Sequence, residues 1–181
     1  MAQSRPAEPL ADAFIAVGSN INPQDNIHRA LTMLSKQLSI AAISNFYKTA
    51  AAGTSGQPDY LNGIVKIKTA HKPREIKFDI LRQIEARLGR VRSADKFAPR
   101  TVDLDLILYA ASVIDEPDLH LPDPSIHAYP FVAVPLLELA PDLILPDTRT
   151  PLSQEPVTTL TPGLHFQRDF TDTLRRLIPR C

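Results

Sequence analysis

The sequence predicts an α+β fold, an antiparallel sheet carrying two helices on one face, and three observations predict it. Along residues 14–109, apolar residues alternate at a spacing of two in some segments and recur at three and four in others. Those strand and helix signals follow one another in the order β-α-β-β-α-β. At 181 residues, 44% hydrophobic and 22% charged, the chain has the size and composition of one globular domain.

The elements follow in order. Phe14-Ile15-Ala16-Val17, stopped by Gly18-Ser19-Asn20, reads as a buried strand and a turn. Ile27, Ala30, Leu31, Leu34 and Leu38 form one face of an amphipathic helix. Residues 39–49 are β-branched and aromatic, and residues 60–69 alternate through Leu61, Ile64, Val65 and Ile67, so both read as strands with a Gly/Pro loop between them. Pro73 opens a second helix along Ile76, Ile80, Leu81, Ile84 and Leu88, which Gly89 ends. Residues 102–109 are a strand. Such an order is that of a ferredoxin-like sandwich. Beyond it come a short strand near Val113-Ile114 and a helix over residues 131–139. Ten of the 17 prolines fall between Pro117 and Pro162, so short bent segments are expected there. The expected organisation is a domain over residues 1–148 and a Pro-rich C-terminal extension, residues 149–181, loosely packed on it.

Composition excludes several classes. The single cysteine, Cys181, permits no internal disulfide and suits a reducing compartment. Met1 to Asp12 has no apolar run of the secretory kind, and no segment approaches the roughly 20 apolar residues of a membrane span. The expectation is a cytoplasmic monomer acting on small molecules, without a membrane partner. The neutral net charge conceals a division. Residues 66–100 hold eleven Lys/Arg against four Asp/Glu, whereas residues 101–148 hold nine Asp/Glu and neither Lys nor Arg. That division suits a site for a polyanion with its metal counter-ions, and equally two surfaces that attract each other. Nucleic acid is not expected, because the basic stretch carries only Phe78 and Phe97 as aromatics and no recognition motif.

The densest chemistry lies between Arg90 and Asp105. On a strand, Asp103 and Asp105 point to one side and Leu104, Leu106 and Leu108 to the other, with the two aspartates roughly 6–7 Å apart. Such a pair can clasp one hard cation or share two Mg²⁺ ions about 3.5–4 Å apart; it can also be the outer face of an ordinary half-exposed strand. Arg90, Arg92 and Arg100 nearby complete the carboxylate and guanidinium set used in phosphoryl transfer. There is no P-loop, dinucleotide fingerprint, zinc spacing or G-x-S-x-G elbow.

Gly18-Ser19-Asn20, Ser44-x-Phe46-Tyr47-x-Thr49, Gln57-Pro58-Asp59-Tyr60-Leu61-Asn62, Ile84-Glu85-x-x-Leu88-Gly89-Arg90-x-Arg92, Pro99-Arg100-Thr101-x-Asp103-Leu104-Asp105 and Pro135-Leu136-x-Glu138-x-Ala140-Pro141 occur in this order. Together they resemble the 6-hydroxymethyl-7,8-dihydropterin pyrophosphokinase family of folate biosynthesis, over residues 14–146. The resemblance implies an ATP-dependent diphosphokinase that moves pyrophosphate from ATP to the pterin's hydroxymethyl oxygen and releases AMP. It implies two Mg²⁺ ions on Asp103 and Asp105, with Arg90 and Arg100 as catalytic groups on the triphosphate. It puts Glu85, Arg92 and Lys96 near the nucleotide. It puts Tyr60 and Phe131 on the two faces of the pterin, with Asn62, Thr49 and Ala52 along its polar edge. Without the resemblance, Tyr60 and Phe131 read first as plain core packing, and Glu85 as a solvated helix charge. Loops 50–59 and 89–98 correspond to mobile covers, whose closure would keep water from the activated group.

The chain also departs from the family's pattern. Asp123 stands in Pro122-Asp123-Pro124 where the family has a histidine, Tyr129 where an arginine commonly precedes the Phe, and Asp118 near another basic position. Ser93, Ala98 and Ala50-Ala51-Ala52 are further differences. One alternative is therefore a divergent paralogue that binds a pterin with weak or no kinase activity. Another is a ferredoxin-like regulatory module without chemistry.

Overall fold

A computed structural model of the chain describes residues 10–51, 56–91 and 98–178. Strand β1 (Ala11–Ser19) leads through helix α1 (Pro23–Leu34) to β2 (Ser39–Ile43), β3 (Tyr47–Thr49) and β4 (Tyr60–Thr69). A π-helical stretch, Glu75–Leu81, continues directly into α2 (Arg82–Arg87), and β5 (Asp103–Tyr109) follows. Next come a hairpin of β6 (Ile114–Glu116) and β7 (Leu119–Leu121), then α3 (Ser125–Ala128) and α4 (Pro130–Leu139). The chain ends with two 3₁₀ turns, Leu152–Gln154 and Pro156–Thr159, then β8 (His165–Phe166) and α5 (Arg168–Arg175).

The main sheet is antiparallel in order β5-β1-β4-β3-β8, with β2 also paired to β4. Residues 39–49 are two strands where one was expected. Ser44 causes the break: its amide donates to the Ile64 carbonyl at 3.0 Å, while its hydroxyl accepts from the Ile64 amide at 2.8 Å. The side-chain oxygen replaces a backbone acceptor, so the ladder is interrupted without leaving a donor unpaired.

Both faces of the sheet are covered. Ile15 and Val17 of β1, Val65 and Ile67 of β4, and Leu104 and Leu106 of β5 pack with Ile27, Leu31, Ile80 and Ile84 from the expected helices. Phe14, Ile64, Ile107 and Leu108 on the opposite face pack with Val132, Ala133 and Leu136 of α4. Leu108 was expected beside Leu104 and Leu106. A register shift between Phe14 and Ile15, where Leu108 and Leu106 are their partners, turns it to the second face.

The C-terminal segment is packed more firmly than its composition suggested. β8 pairs with β3, and Phe170 and Leu174 of α5 lie in the first core cluster. Phe170 meets the edge of Phe46 at 5.7 Å. Phe46 itself lies over Gly63, where an added Cβ would come within 2.6 Å of the ring. On α4, Glu138 accepts from the Asn45 amide at 2.8 Å and from the Tyr47 hydroxyl, tying that helix to the approach to β3.

Candidate active site

Residue size along the second sheet face creates the site. In β1 that face runs Phe14, Ala16, Gly18, and each step removes volume beneath α4. The result is a cavity of about 380 Å³. Its floor is Ala16, Gly18, Tyr60, Asn62, Asp103, Asp105 and Ile107, and its walls include Thr49, Arg100, Asp123, Ser125, Tyr129 and Phe131. Gly18 pairs with Asn62 on one side and Asp103 on the other. A Cβ there would meet the Asn62 Oδ1 at 2.8 Å. This glycine is required by close approach and not by backbone conformation.

One end of the cavity is charged. Asp103 and Asp105 alternate with Leu104 as the strand period requires, so both carboxylates reach the second face. Arg90 donates to Asp103 and to Glu85, and Arg100 donates to the other Asp103 oxygen. Glu85 is only 1% exposed. It also accepts from the Leu104 amide at 2.9 Å, so it fastens α2 to β5 while holding Arg90. Burial of Arg90 opposes its charge, but Asp103 and Glu85 outweigh this and raise its pKa. Arg100 is positioned by Asn20, whose Oδ1 accepts from the Arg100 amide at 2.8 Å. Ser19 completes that junction by donating to the Thr101 carbonyl at 2.6 Å.

Asp105 opens onto the cavity yet is closely surrounded by protein. Desolvation, then Asp103, Glu85 and Asp123, push its pKa up to about 7. Four carboxylates thus share this end with two guanidiniums, and the oxygen-only donor pair Asp103 and Asp105 is of the type that hard divalent cations take. The residues present fit Mg²⁺, since added positive charge would relieve the repulsion on Asp105. Asp123 turns partly away: its Oδ1 accepts from the Ser125 amide at 2.9 Å, closing the turn into α3.

The other end is aromatic. Asn62 donates to the Thr49 hydroxyl at 2.9 Å, which fixes the amide with its oxygen toward Gly18. The Tyr60 hydroxyl has its pKa raised, chiefly by burial. Phe131 lies in the first turn of α4 and is half-buried, and the Tyr129 ring stacks on it at 5.0 Å between centroids and 18° between planes.

The expected site residues divide into three groups. Arg100, Asp103, Asp105, Thr49, Tyr60, Asn62 and Phe131 meet in this one cavity. Arg90 joins it through Asp103, and Glu85 stands behind Arg90 as a buried anchor, not as a solvated helix charge. Ala52, Arg92 and Lys96 lie outside the described residues. Sequence reasoning missed Gly18 and Ser125 as parts of the cavity. A glycine inside an apolar strand was the available signal for the first, and nothing marked the second.

An α+β sheet whose open end sets paired carboxylates and arginines beside an aromatic slot defines a protein of the phosphate-handling class with room for a flat ring. Residues 14–141 match the family model for 7,8-dihydro-6-hydroxymethylpterin-pyrophosphokinase (HPPK), and the chain belongs to that family. It is 42% identical over 144 residues to the 2-amino-4-hydroxy-6-hydroxymethyldihydropteridine pyrophosphokinase of Haemophilus influenzae, covering 77% of this chain and 88% of that one. It is 34% identical over 155 residues to the enzyme of the same name from Aquifex aeolicus, covering 84% and 96%. Among solved structures, a Plasmodium falciparum HPPK-DHPS triple mutant with pteroate superposes with a TM-score of 0.62 at 12% identity, over 81% of this chain. This chain spans 43% of that longer one, and the likeness concerns the fold. Among the described residues, no helix is long and apolar enough to cross a membrane.

Proposed function

We propose that the protein transfers the β,γ-pyrophosphoryl group of ATP to the hydroxymethyl oxygen of 6-hydroxymethyl-7,8-dihydropterin, giving AMP and the pterin diphosphate in folate biosynthesis. One observation carries the proposal: Asp103, Asp105 and Arg100 share a single cavity with Tyr60, Asn62 and Phe131. A phosphate-handling end and a ring-binding end are thereby joined at the distance one small substrate can bridge. In the reaction the hydroxymethyl oxygen bonds to the β-phosphorus, and the bond from that phosphorus to the α,β-bridging oxygen breaks. AMP leaves with that oxygen, and the hydroxyl proton passes to solvent.

The chain's residues act by positioning and charge. Tyr60 and Phe131 hold the ring, and the Asn62 amide and Thr49 read its polar edge. Arg100, 29% exposed on its side chain, is the guanidinium on the open side, and Arg90 the enclosed one at 10%. Each exchanges a carboxylate oxygen of Asp103 for a phosphate oxygen as the nucleotide enters. Asp103 and Asp105 would hold Mg²⁺, two ions in this reading, which supplies neutralisation and alignment of the triphosphate. Arg92 and Lys96 are read as further nucleotide contacts, and Ala52 as a contact to the pterin edge.

The altered positions are compatible with activity, because Asp123 is engaged in its own turn and Tyr129 in a ring stack. The relatives named as pyrophosphokinases favour this reading over an inactive paralogue. The strand order, with its second strand split by Ser44, supports a ferredoxin-like topology. The α5 and β8 contacts support one folded unit extending past residue 148. The test is AMP release from ATP and Mg²⁺ with and without the pterin. Pterin-dependent AMP that vanishes in Asp103→Ala/Asp105→Ala is expected; no AMP from a protein that still binds pterin would overturn the proposal.

A further inference from the structure

His127 lies outside the cavity, on α3, and both of its ring nitrogens meet carboxylates. Nε2 is 2.9 Å from Asp147 Oδ2, and Nδ1 is 3.2 Å from Glu155 Oε2. A neutral imidazole has one N–H, so it can serve only one of these partners and turns a lone pair to the other. The imidazolium serves both. Asp147 follows α4 and Glu155 lies between the 3₁₀ turns at Leu152–Gln154 and Pro156–Thr159, both beyond the residues matched to the family. Glu155 Oε1 also accepts from the Thr150 hydroxyl at 3.4 Å. Asp147 and Glu155 are the charged groups that bear on His127, and its half-buried ring, 30% exposed, limits their screening.

The position of His127 in its turn matters. Ser125 and Tyr129, two residues to either side, both line the cavity, and the Tyr129 amide donates to the Ser125 carbonyl at 3.0 Å. Four-residue α3 cannot hold a fixed orientation by its own hydrogen bonds. Its inward side is held by Ile126, buried in the second cluster. Its outward side is held by His127.

We propose that His127 is a positioning residue: clamped between Asp147 and Glu155, it fixes the α3 turn that presents Ser125 and the Tyr129–Phe131 stack to the substrate ring, making the C-terminal segment a working support of the site. This inference rests on the pterin reading of the cavity. Burial, the largest influence, lowers the pKa of His127, but the hydrogen bonds to Asp147 and Glu155 together outweigh it and the net shift is upward from 6.5. The clamp is therefore closed below the ordinary imidazole value and opens as pH rises through the raised one.

The test compares wild type, His127→Gln and Glu155→Gln. At pH 6.5, each variant is expected to raise the KM for the pterin about fivefold, with kcat within about twofold and the KM for ATP unchanged. The wild-type pterin KM rises toward the variant value as pH climbs from 6.5 through the raised value of His127, while that of His127→Gln does not follow. Amide hydrogen exchange at a single pH, which needs no turnover, is faster over residues 125–131 in both variants than in wild type. Unchanged exchange and pterin KM in both variants would overturn the proposal. So would a uniform fall in kcat with both KM values altered, which marks a structural role only. If wild type gives no pterin-dependent AMP, the functional reading fails, and the exchange comparison alone decides the clamp.

Discussion

At the carboxylate end of the cavity, a strand, a helix and the loops flanking them are locked together by Glu85, Arg90, Asp103 and Arg100. At the aromatic end, Tyr60, Asn62 and Phe131 stand on β4 and α4 with their ring faces and amide directed by packing and by one hydrogen bond to Thr49. The first end already pairs Asp103 and Glu85 with guanidiniums and leaves Asp105 crowded by carboxylates, so binding there exchanges partners and adds positive charge. The second presents shape, and binding there is an addition. The two ends should therefore fail differently: loss at the first should suppress chemistry and often stability, whereas loss at the second should chiefly weaken affinity for the ring.

The sharpest break is Asp103→Ala/Asp105→Ala, expected to lower AMP formation about a thousandfold or more. The pterin dissociation constant, read by fluorescence titration, should stay within about threefold of wild type. Arg90→Ala comes next, with an expected fall of about a hundredfold in kcat. It should also destabilise the fold by about 3–5 kcal/mol in a denaturant titration, because the buried Glu85 and also Asp103 lose the enclosed guanidinium bonded to them. Arg100→Ala should lose comparable activity with less than about 1 kcal/mol of stability, since that side chain borders solvent and Asp103 keeps Arg90. Equal stability losses in the two arginine variants would erase the distinction between an enclosed and an open guanidinium.

Smaller effects belong to the aromatic end. Tyr60→Ala should raise the pterin KM roughly tenfold and leave the KM for ATP in place. Gly18→Ala should displace the Asn62 amide, weakening the pterin by a few-fold and the fold by about 1 kcal/mol. The smallest effect concerns pH. A histidine whose folded pKa is raised contributes stability that is fully present below about pH 6.5 and lost as pH climbs through the folded value. Wild type should therefore lose a fraction of a kcal/mol, seen as a slightly lower Tm, over a range in which His127→Gln is flat.

Much of this was legible from local pattern. β1, β4, β5 and α1 were readable because burial enforces period two or 3.6 wherever one face meets a core, and the Asp103 and Asp105 pairing follows from the same period. What escaped reading depends on contacts distant in sequence. The break at Ser44 exists because a hydroxyl meets the Ile64 amide 20 residues away. The π-helical stretch over Glu75–Leu81 keeps apolar spacing close to that of an α-helix, so the two look alike as patterns. Glu85 looks like any exposed helix acid until β5 supplies the Leu104 amide and the turn after α2 supplies Arg90. Pro-rich composition suggested a loose C-terminal segment, yet Phe170 and Leu174 join a core whose members reach back to Ala13.

The register around Gly18 has a metric consequence. Hydrogen-bonded strands repeat at a nearly constant interval of about 4.8 Å, and Asn62, Gly18 and Asp103 occupy three successive strands on one transverse line. The backbone anchors of Asn62, proposed to read the ring, and of Asp103, proposed to stand beside the phosphates, are thus held about two intervals apart, roughly 10 Å. The sheet works as a ruler with a single graduation. Its length cannot be tuned by packing or by loop length, so a substrate with a longer arm between ring and acceptor oxygen would have to be accommodated by side chains, while the scale beneath them stayed the same.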